Sequence, residues 1–298
     1  MATRKTSTNR SDAAEADEYR KARKAQRFTR REVLAGGVAG ALLGLLAASG
    51  CGTSRGSQEE QETTRRDQRE AGAAEVGRLL ARPHEATEDE APSGLKALNS
   101  GTERDGLVYV PSGYDAARAA PFALMLHGAH SGAREGIAPF LDLADEAGLI
   151  LLAPESQGRT WDISLGGYGP DVEFIDRALK SVFSRNTVEP LKLAACGISD
   201  GASYALSLGL TNGDLFTHVI AFSPGFVFTE ERRGSPNVFV SHGTRDQILS
   251  IDSTSRRIVP RLRREGYDVR YKEFDGSHEV PPEVAQEALL WFTGTEAK

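Results

Sequence analysis

The stretch Leu191-Lys192-Leu193-Ala194-Ala195-Cys196-Gly197-Ile198-Ser199-Asp200-Gly201, continued by Ala202 to Leu210, passes from an apolar run through the pattern G-x-S-x-G into a helical periodicity. This predicts a strand, a sharp turn and a helix, with Ser199 on the turn. A serine hydroxyl is a weak nucleophile and gains reactivity only when held in the open beside a base. Gly197 and Gly201 leave room for that approach. The five letters recur by chance in many chains, so the strand-turn-helix setting and the residues downstream carry the weight.

Downstream, Asn237 to Ser241 has the pattern of a buried strand and runs into His242-Gly243-Thr244-Arg245-Asp246. A further strand pattern, Val269 to Phe274, leads into Asp275-Gly276-Ser277-His278, and Pro281-Pro282 then opens a last helix. Ser199, Asp246 and His278 therefore follow one another as serine, acid and histidine, each in a loop just past a strand. Upstream, Phe122 to Leu126 reads as a strand that ends in His127-Gly128-Ala129.

From Leu107 onward the chain resembles the α/β-hydrolase superfamily, and within it the lidless esterases grouped with polyhydroxyalkanoate depolymerases, feruloyl esterases and phospholipase/carboxylesterases. The residues that carry this are Leu126-His127-Gly128, Asp171 to Asp176, Gly197 to Gly201, Phe222-Ser223-Pro224-Gly225, His242 to Asp246 and Gly276-Ser277-His278. The resemblance implies ester hydrolysis through an acyl-enzyme, with Ser199 as nucleophile, His278 as base and then acid, and Asp246 as its orienting carboxylate. It also implies an oxyanion hole made by the backbone N–H groups of Ala129 and Asp200. The small-molecule or polymeric ester that would be the substrate is not specified.

The position after the nucleophile departs from the commoner small or uncharged residue. Asp200 falls in the first turn of the helix, where the macrodipole favours a negative charge. Its carboxylate would also disfavour anionic substrates and raise the pKa of His278. The two readings stand side by side at this point.

Residues 93 to 298 leave room for one domain. Seven short apolar runs, starting at Gly106, Phe122, Leu149, Leu191, Val219, Val238 and Val269, alternate with helical patterns. They predict an α/β fold with a mainly parallel sheet covered by helices on both faces. Only Ser223 to Pro236 separates two of the strands where a cap would enter, so no large lid fits and the site should be open. The helix from Asp252 contains Pro260 and closes at Gly266. The longest loop near the site, Pro154 to Pro170, carries Trp161, a candidate pocket wall. His130, beside the oxyanion turn, is a candidate substrate contact at the rim.

The front of the chain has a different character. Residues 1–50 hold ten Lys or Arg against five Asp or Glu, whereas the remainder holds 26 against 37. Thr29-Arg30-Arg31-Glu32-Val33-Leu34 resembles a twin-arginine export motif, and the glycine-interrupted run Val33 to Gly50 suits its apolar region better than a spanning helix. Ala48-Ser49-Gly50-Cys51 is similar to a bacterial lipobox, which makes Cys51 a candidate lipidation site and the cell envelope the expected location. Residues 51–92, poor in large apolar side chains, read as a flexible acidic stalk, with a short helix over Ala71 to Ala81 stopped by Pro83. Cys196, the only other cysteine, reads as a buried core residue.

No His, Asp and Glu cluster has metal-ligand spacing, no phosphate-loop or dinucleotide fingerprint is present, and the acidic mature charge disfavours nucleic acid. Neither metal nor cofactor is therefore expected. Two rival functions remain on the same scaffold: a non-catalytic binding protein, and another acyl transfer such as a thioesterase, peptidase or acyltransferase reaction.

Overall fold

A computed structural model of the chain describes residues 54–88, 91–229 and 231–294. The twin-arginine motif, the apolar run and Cys51 lie outside the described residues. In chain order the elements are α1 (Ser54–Glu75), β1 (Gly94–Ala97), β2 (Gly106–Val110), β3 (Ala120–Leu126), α2 (Ala133–Leu141), α3 (Ala144–Ala147) and β4 (Ile150–Pro154). They continue with α4 (Pro170–Arg185), β5 (Val188–Ile198), α5 (Asp200–Thr211), β6 (His218–Phe222), β7 (Asn237–Gly243), α6 (Ser255–Arg264), β8 (Val269–Phe274) and α7 (Pro282–Thr293). Among the described residues no helix is long and apolar enough to cross a membrane.

The strands form one sheet in the order β1-β2-β4-β3-β5-β6-β7-β8. The β1/β2 and β2/β4 pairs are antiparallel, and every pair from β4/β3 onward is parallel. Alternation along β3 sets the two faces. Phe122, Leu124 and Leu126 point into a core shared with α4, α5 and α6, whereas Ala123 and Met125 point into a second core closed by α2 and α7. Both faces of the central strands are thus buried, which is why they read as continuous apolar runs rather than as alternations. The sheet is mainly parallel with helices on both sides, as the sequence pattern indicates, and among the described residues no large lid interrupts it.

Two elements differ from the expectation. The short antiparallel edge strand β1 carries only Leu95 and Ala97 as apolar residues, too few to rise above a loop pattern. The stalk is the larger correction. Helix α1 ends before Gly77, which turns the chain at φ 74°, and residues 78–82 then dock on the domain instead of forming the end of a helix stopped at Pro83. A Cβ at Gly77 would fall 2.4 Å from the Tyr168 ring, so the turn tolerates no side chain.

The docking is made by backbone groups, two arginines and buried apolar side chains. Leu79 N–H donates to Asn212 Oδ1 at 2.9 Å, and the N–H groups of Leu80 and Ala81 share Asp176 Oδ1 at 2.6 and 2.7 Å. Asn212 Nδ2 returns a bond to Gly77 O at 2.8 Å. Arg78 forks onto both oxygens of Asp214 at 2.8 Å, and Arg82 adds a contact at 2.7 Å. The hydrogen bond from Arg78 is the chief reason that the Asp214 carboxyl lies at about 2, below the usual carboxylate range. Ala74, Leu79 and Ala81 are buried in the first core, which is why this polar-looking segment is not free.

Leu79 is fully buried whereas Val76, three residues earlier, is 43 % exposed. Leu79→Ala is expected to lower stability by about 2–4 kcal/mol through lost transfer energy and a residual cavity. Val76→Ala is expected to change it by less than about 0.5 kcal/mol. Chemical denaturation of both variants checks the docking, and equal midpoints would show that residues 78–82 contribute nothing to the domain.

Candidate active site

Strand β5 delivers Ser199 to a turn in which the chain has φ 56° and ψ −118°, a conformation that costs an L-residue strain. The strain is held by packing on every side. Ser199 N–H donates to Phe222 O at 2.9 Å across the β5/β6 edge, and Ser203 N–H closes the first helical bond on Ser199 O at 3.1 Å. A Cβ on Gly197 would lie 2.1 Å from Gly201 O, and one on Gly201 would lie 2.2 Å from Leu126 O and 2.4 Å from His127 O. Helix α5 therefore begins in direct backbone contact with the end of β3. The same approach puts the 127–130 turn beside the serine, with the Gly128 Cβ position 3.6 Å from Ser199 Cβ.

Asp246 and His278 arrive from the ends of β7 and β8. His278 Nδ1–H donates to Asp246 Oδ2 at 2.6 Å, while Asp246 Oδ1 accepts the N–H groups of Ile248 and Leu249 at 2.9 and 2.8 Å. A second histidine, outside the expected triad, also joins this carboxylate. His242, fully buried, has Nε2 at 3.1 Å from Asp246 Oδ2 and 2.8 Å from Leu249 O, both acceptors, and Nδ1 at 2.7 Å from Ser255 Oγ. With two oxygen acceptors before it, Nε2 carries a proton. Burial pushes the Asp246 pKa up. The hydrogen bonds from His242 and His278, the His278 charge and the Leu249 N–H outweigh that, so the carboxyl lies well below its usual range. It stays ionised as an acceptor for His278. His278 Nε2 is buried with no hydrogen-bond partner, Ser199 Oγ included. Contacts of this kind commonly tighten only when substrate is bound.

The 127–130 turn is held by residues 156–161 of the β4–α4 loop. Ser156 N–H donates to His127 Nε2 at 2.9 Å, and His127 Nδ1 faces Gly128 O at 2.7 Å. A backbone donor on one nitrogen and a carbonyl on the other require a neutral imidazole, in keeping with burial that lowers its pKa. His130 takes φ 58° and donates its N–H to Arg159 O at 3.0 Å. Trp161 differs from its expected role. It is fully buried, its Nε1–H donates to His127 O at 2.8 Å, and its ring stacks on Tyr204 at 4.9 Å. It braces the turn from behind instead of lining a pocket, because the indole needs both an apolar stack and an acceptor. His130 is exposed at the rim.

Asp200 stands at the first position of α5, so its N–H has no intrahelical acceptor. Its side chain is buried, and Oδ2 accepts the Thr160 hydroxyl at 2.6 Å. Burial raises its pKa, while Thr160, the His130 and His278 charges and Ser164 oppose that rise.

Behind the loop lies a second carboxylate pair. Asp162 N–H donates to Asp171 Oδ2 at 2.7 Å and Asp171 N–H to Asp162 Oδ2 at 3.0 Å, a reciprocal arrangement that closes the loop onto the start of α4. Gln157 N–H adds a bond to Asp171 Oδ1 at 2.5 Å. Burial and the neighbouring Asp171 charge push the Asp162 pKa up to about 7. On the other side of α5, a hydroxyl stripe at helical spacing holds the β6–β7 segment. Ser203 Oγ accepts Gly225 N–H at 2.9 Å, and Ser207 Oγ accepts Phe228 N–H at 3.0 Å. The spacing of Ser203, Ser207 and Thr211 is visible in the sequence, but its partners are not. Among the described residues no group of three His, Cys, Asp or Glu side chains is placed to hold a metal ion.

No protein-family model and no curated protein matches the sequence. Solved structures are similar in fold. The S-formylglutathione hydrolase FrmB from Staphylococcus aureus superposes with a TM-score of 0.55 at 13% identity, over 68% of this chain and 100% of that one. The fluorophosphonate-binding serine hydrolase FphF of the same organism gives 0.54 at 14% over 68% and 99%. A CE1 ferulic acid esterase from the anaerobic fungus Anaeromyces mucronatus gives 0.53 at 19% over 72% and 96%. At these identities the likeness is one of architecture, and this chain has the α/β-hydrolase fold.

The carboxylate pair behind the loop carries a sign that can be tested. Between the unfolded value of about 4 and the native value of about 7, native Asp162 keeps a proton that the unfolded chain has lost, so stability falls as pH rises through this window. Asp162→Asn removes that loss. It is expected to stabilise the protein by about 1–2 kcal/mol at pH 8 and by nothing near pH 4, as measured by denaturation midpoints. A gain that does not vary with pH would refute the linkage.

Proposed function

We propose that this protein is a serine hydrolase that cleaves carboxylic esters through an acyl-enzyme. The observation that supports the proposal is a strained Ser199 just past β5 and, past β7 and β8, an ionised Asp246 bonded to His278 Nδ1, whose buried Nε2 has no hydrogen-bond partner. In the proposed cycle Ser199 Oγ attacks the ester carbonyl as His278 Nε2 accepts its proton. The carbonyl oxygen becomes an oxyanion, held by the N–H groups of Asp200 and Ala129. Collapse expels the alcohol, which takes the proton from His278, and leaves an acyl group on Ser199. Water, deprotonated by the same nitrogen, then releases the acid and restores the serine.

The short β6–β7 connection supports ester substrates that need no cap. Only residues 223–236 separate β6 from β7, and the first of them are latched to α5 by the Ser203 and Ser207 hydroxyls. The ester and serine hydrolases of similar fold support the reaction class, while thioester and amide cleavage would pass through the same tetrahedral intermediate. We also propose, from the leader alone, export by the twin-arginine route and anchoring through an acylated Cys51.

Ser199→Ala is expected to lower p-nitrophenyl acetate turnover by several orders of magnitude without changing the circular dichroism spectrum. A fluorophosphonate probe should label the parent protein and not the variant. Wild-type labelling that persists after Ser199→Ala would place the nucleophile elsewhere, and a folded parent that neither labels nor turns over ester would favour a binding protein. For the leader, mass spectrometry of protein recovered from membranes should find an N-terminal residue 51 carrying lipid, and a mature terminus elsewhere would remove the anchor.

A further inference from the structure

The Asp200 carboxylate takes no part in the proposed reaction, and it is costly where it stands. It is 5 % exposed, it adjoins the serine in sequence, and it shares its residue with a proposed oxyanion donor. A negative charge beside a developing oxyanion opposes the very charge that the backbone N–H stabilises. A helix-dipole role does not need this burial, because a solvent-exposed aspartate in the first turn gains the same interaction. The surroundings are built to keep the carboxylate in place. Thr160 donates to Oδ2 at 2.6 Å, and Thr160 is carried by the segment whose Arg159 O and Trp161 Nε1 also hold the 127–130 turn. The positive charges that act on it belong to two imidazoles, His130 on that turn and His278, and Ser164 lies beside it on the loop. When ionised, the carboxylate therefore places a negative charge one residue from Ser199.

We propose that Asp200 sets the charge preference of the site: esters with a neutral or cationic acyl group are accepted, and esters whose acyl group carries a carboxylate are rejected. The proposal rests on the serine hydrolase reading and deepens it by naming the substrate class. Rejection arises from like-charge repulsion in a partly desolvated site, where interactions are weakly screened. Acceptance of a cation arises because the substrate charge then offsets the carboxylate while the oxyanion forms. Asp200 acts here on substrate charge, so its removal should change the ranking of substrates more than the rate on a neutral one.

The test compares three p-nitrophenyl esters of similar acyl size: the butyrate, the monoester of glutarate and the 4-(trimethylammonio)butyrate. Background hydrolysis is subtracted with Ser199→Ala protein. For the wild type, kcat/KM on the anionic ester is expected to fall at least tenfold below that on the butyrate, with the cationic ester equal to it or above. In Asp200→Asn and Asp200→Ser, each checked for folding by circular dichroism, the anionic deficit should shrink to within about threefold, chiefly through a lower KM. Asp200→Glu should keep the deficit. Equal rates on all three esters in the wild type, or a deficit unchanged in a folded neutral variant, would overturn the proposal while leaving the serine hydrolase reading intact. Absence of wild-type turnover on the butyrate together with absence of fluorophosphonate labelling would instead remove that reading.

Discussion

The first turn of α5 lies so close to the end of β3 that Gly201 can carry only hydrogen where any other residue carries Cβ. Much of the site depends on this contact between two backbones. It sets the height of Ser199 above the sheet, brings the 127–130 turn alongside, and fixes the spacing between Asp200 N–H and the residues after His127. Packing of this kind has few adjustable parts, since backbone atoms cannot change rotamer, and it explains why strain is tolerated there. Among the described residues four non-glycine positions have positive φ, and His130, Ser199 and Ser223 are three of them, at the ends of β3, β5 and β6. Strain gathers where the strands stop and the chemistry would begin.

Around that contact the polar groups form two separate systems. On the β7–β8 side, Asp246 collects two imidazole N–H groups and two backbone N–H groups. These donors outweigh the cost of burying the charge and keep it ionised. On the β3–β4 side, neutral His127, Trp161, Thr160 and the Asp162–Asp171 pair hold the 127–130 turn against the helix. Asp200 belongs to the second system through Thr160, and the His278 charge of the first acts on its carboxyl.

The segment before the α/β domain shows how little composition says about docking. Residues 78–82 look like linker, yet their backbone donors find Asn212 and Asp176, and Leu79 fills the core between α4 and α5. A chain needs few apolar residues to dock when its N–H groups meet buried acceptors, because satisfying those acceptors avoids the penalty of leaving them unpaired. Part of the expected stalk is in this way a strap on the domain.

From sequence alone, the alternation of apolar runs with helical patterns determined the α/β architecture. The order serine, acid, histidine after three strands put Ser199, Asp246 and His278 past the carboxyl ends of β5, β7 and β8, where Asp246 and His278 bond. Those signals are local or periodic, and they survive in one dimension. Only the tertiary structure decided that His242 shares Asp246, that Trp161 supports the turn from behind, that Asp200 is buried against Thr160, and that Leu79 docks. Each of these depends on partners between 4 and 133 residues apart, and hydrogen-bond satisfaction over such distances leaves no mark on composition or period.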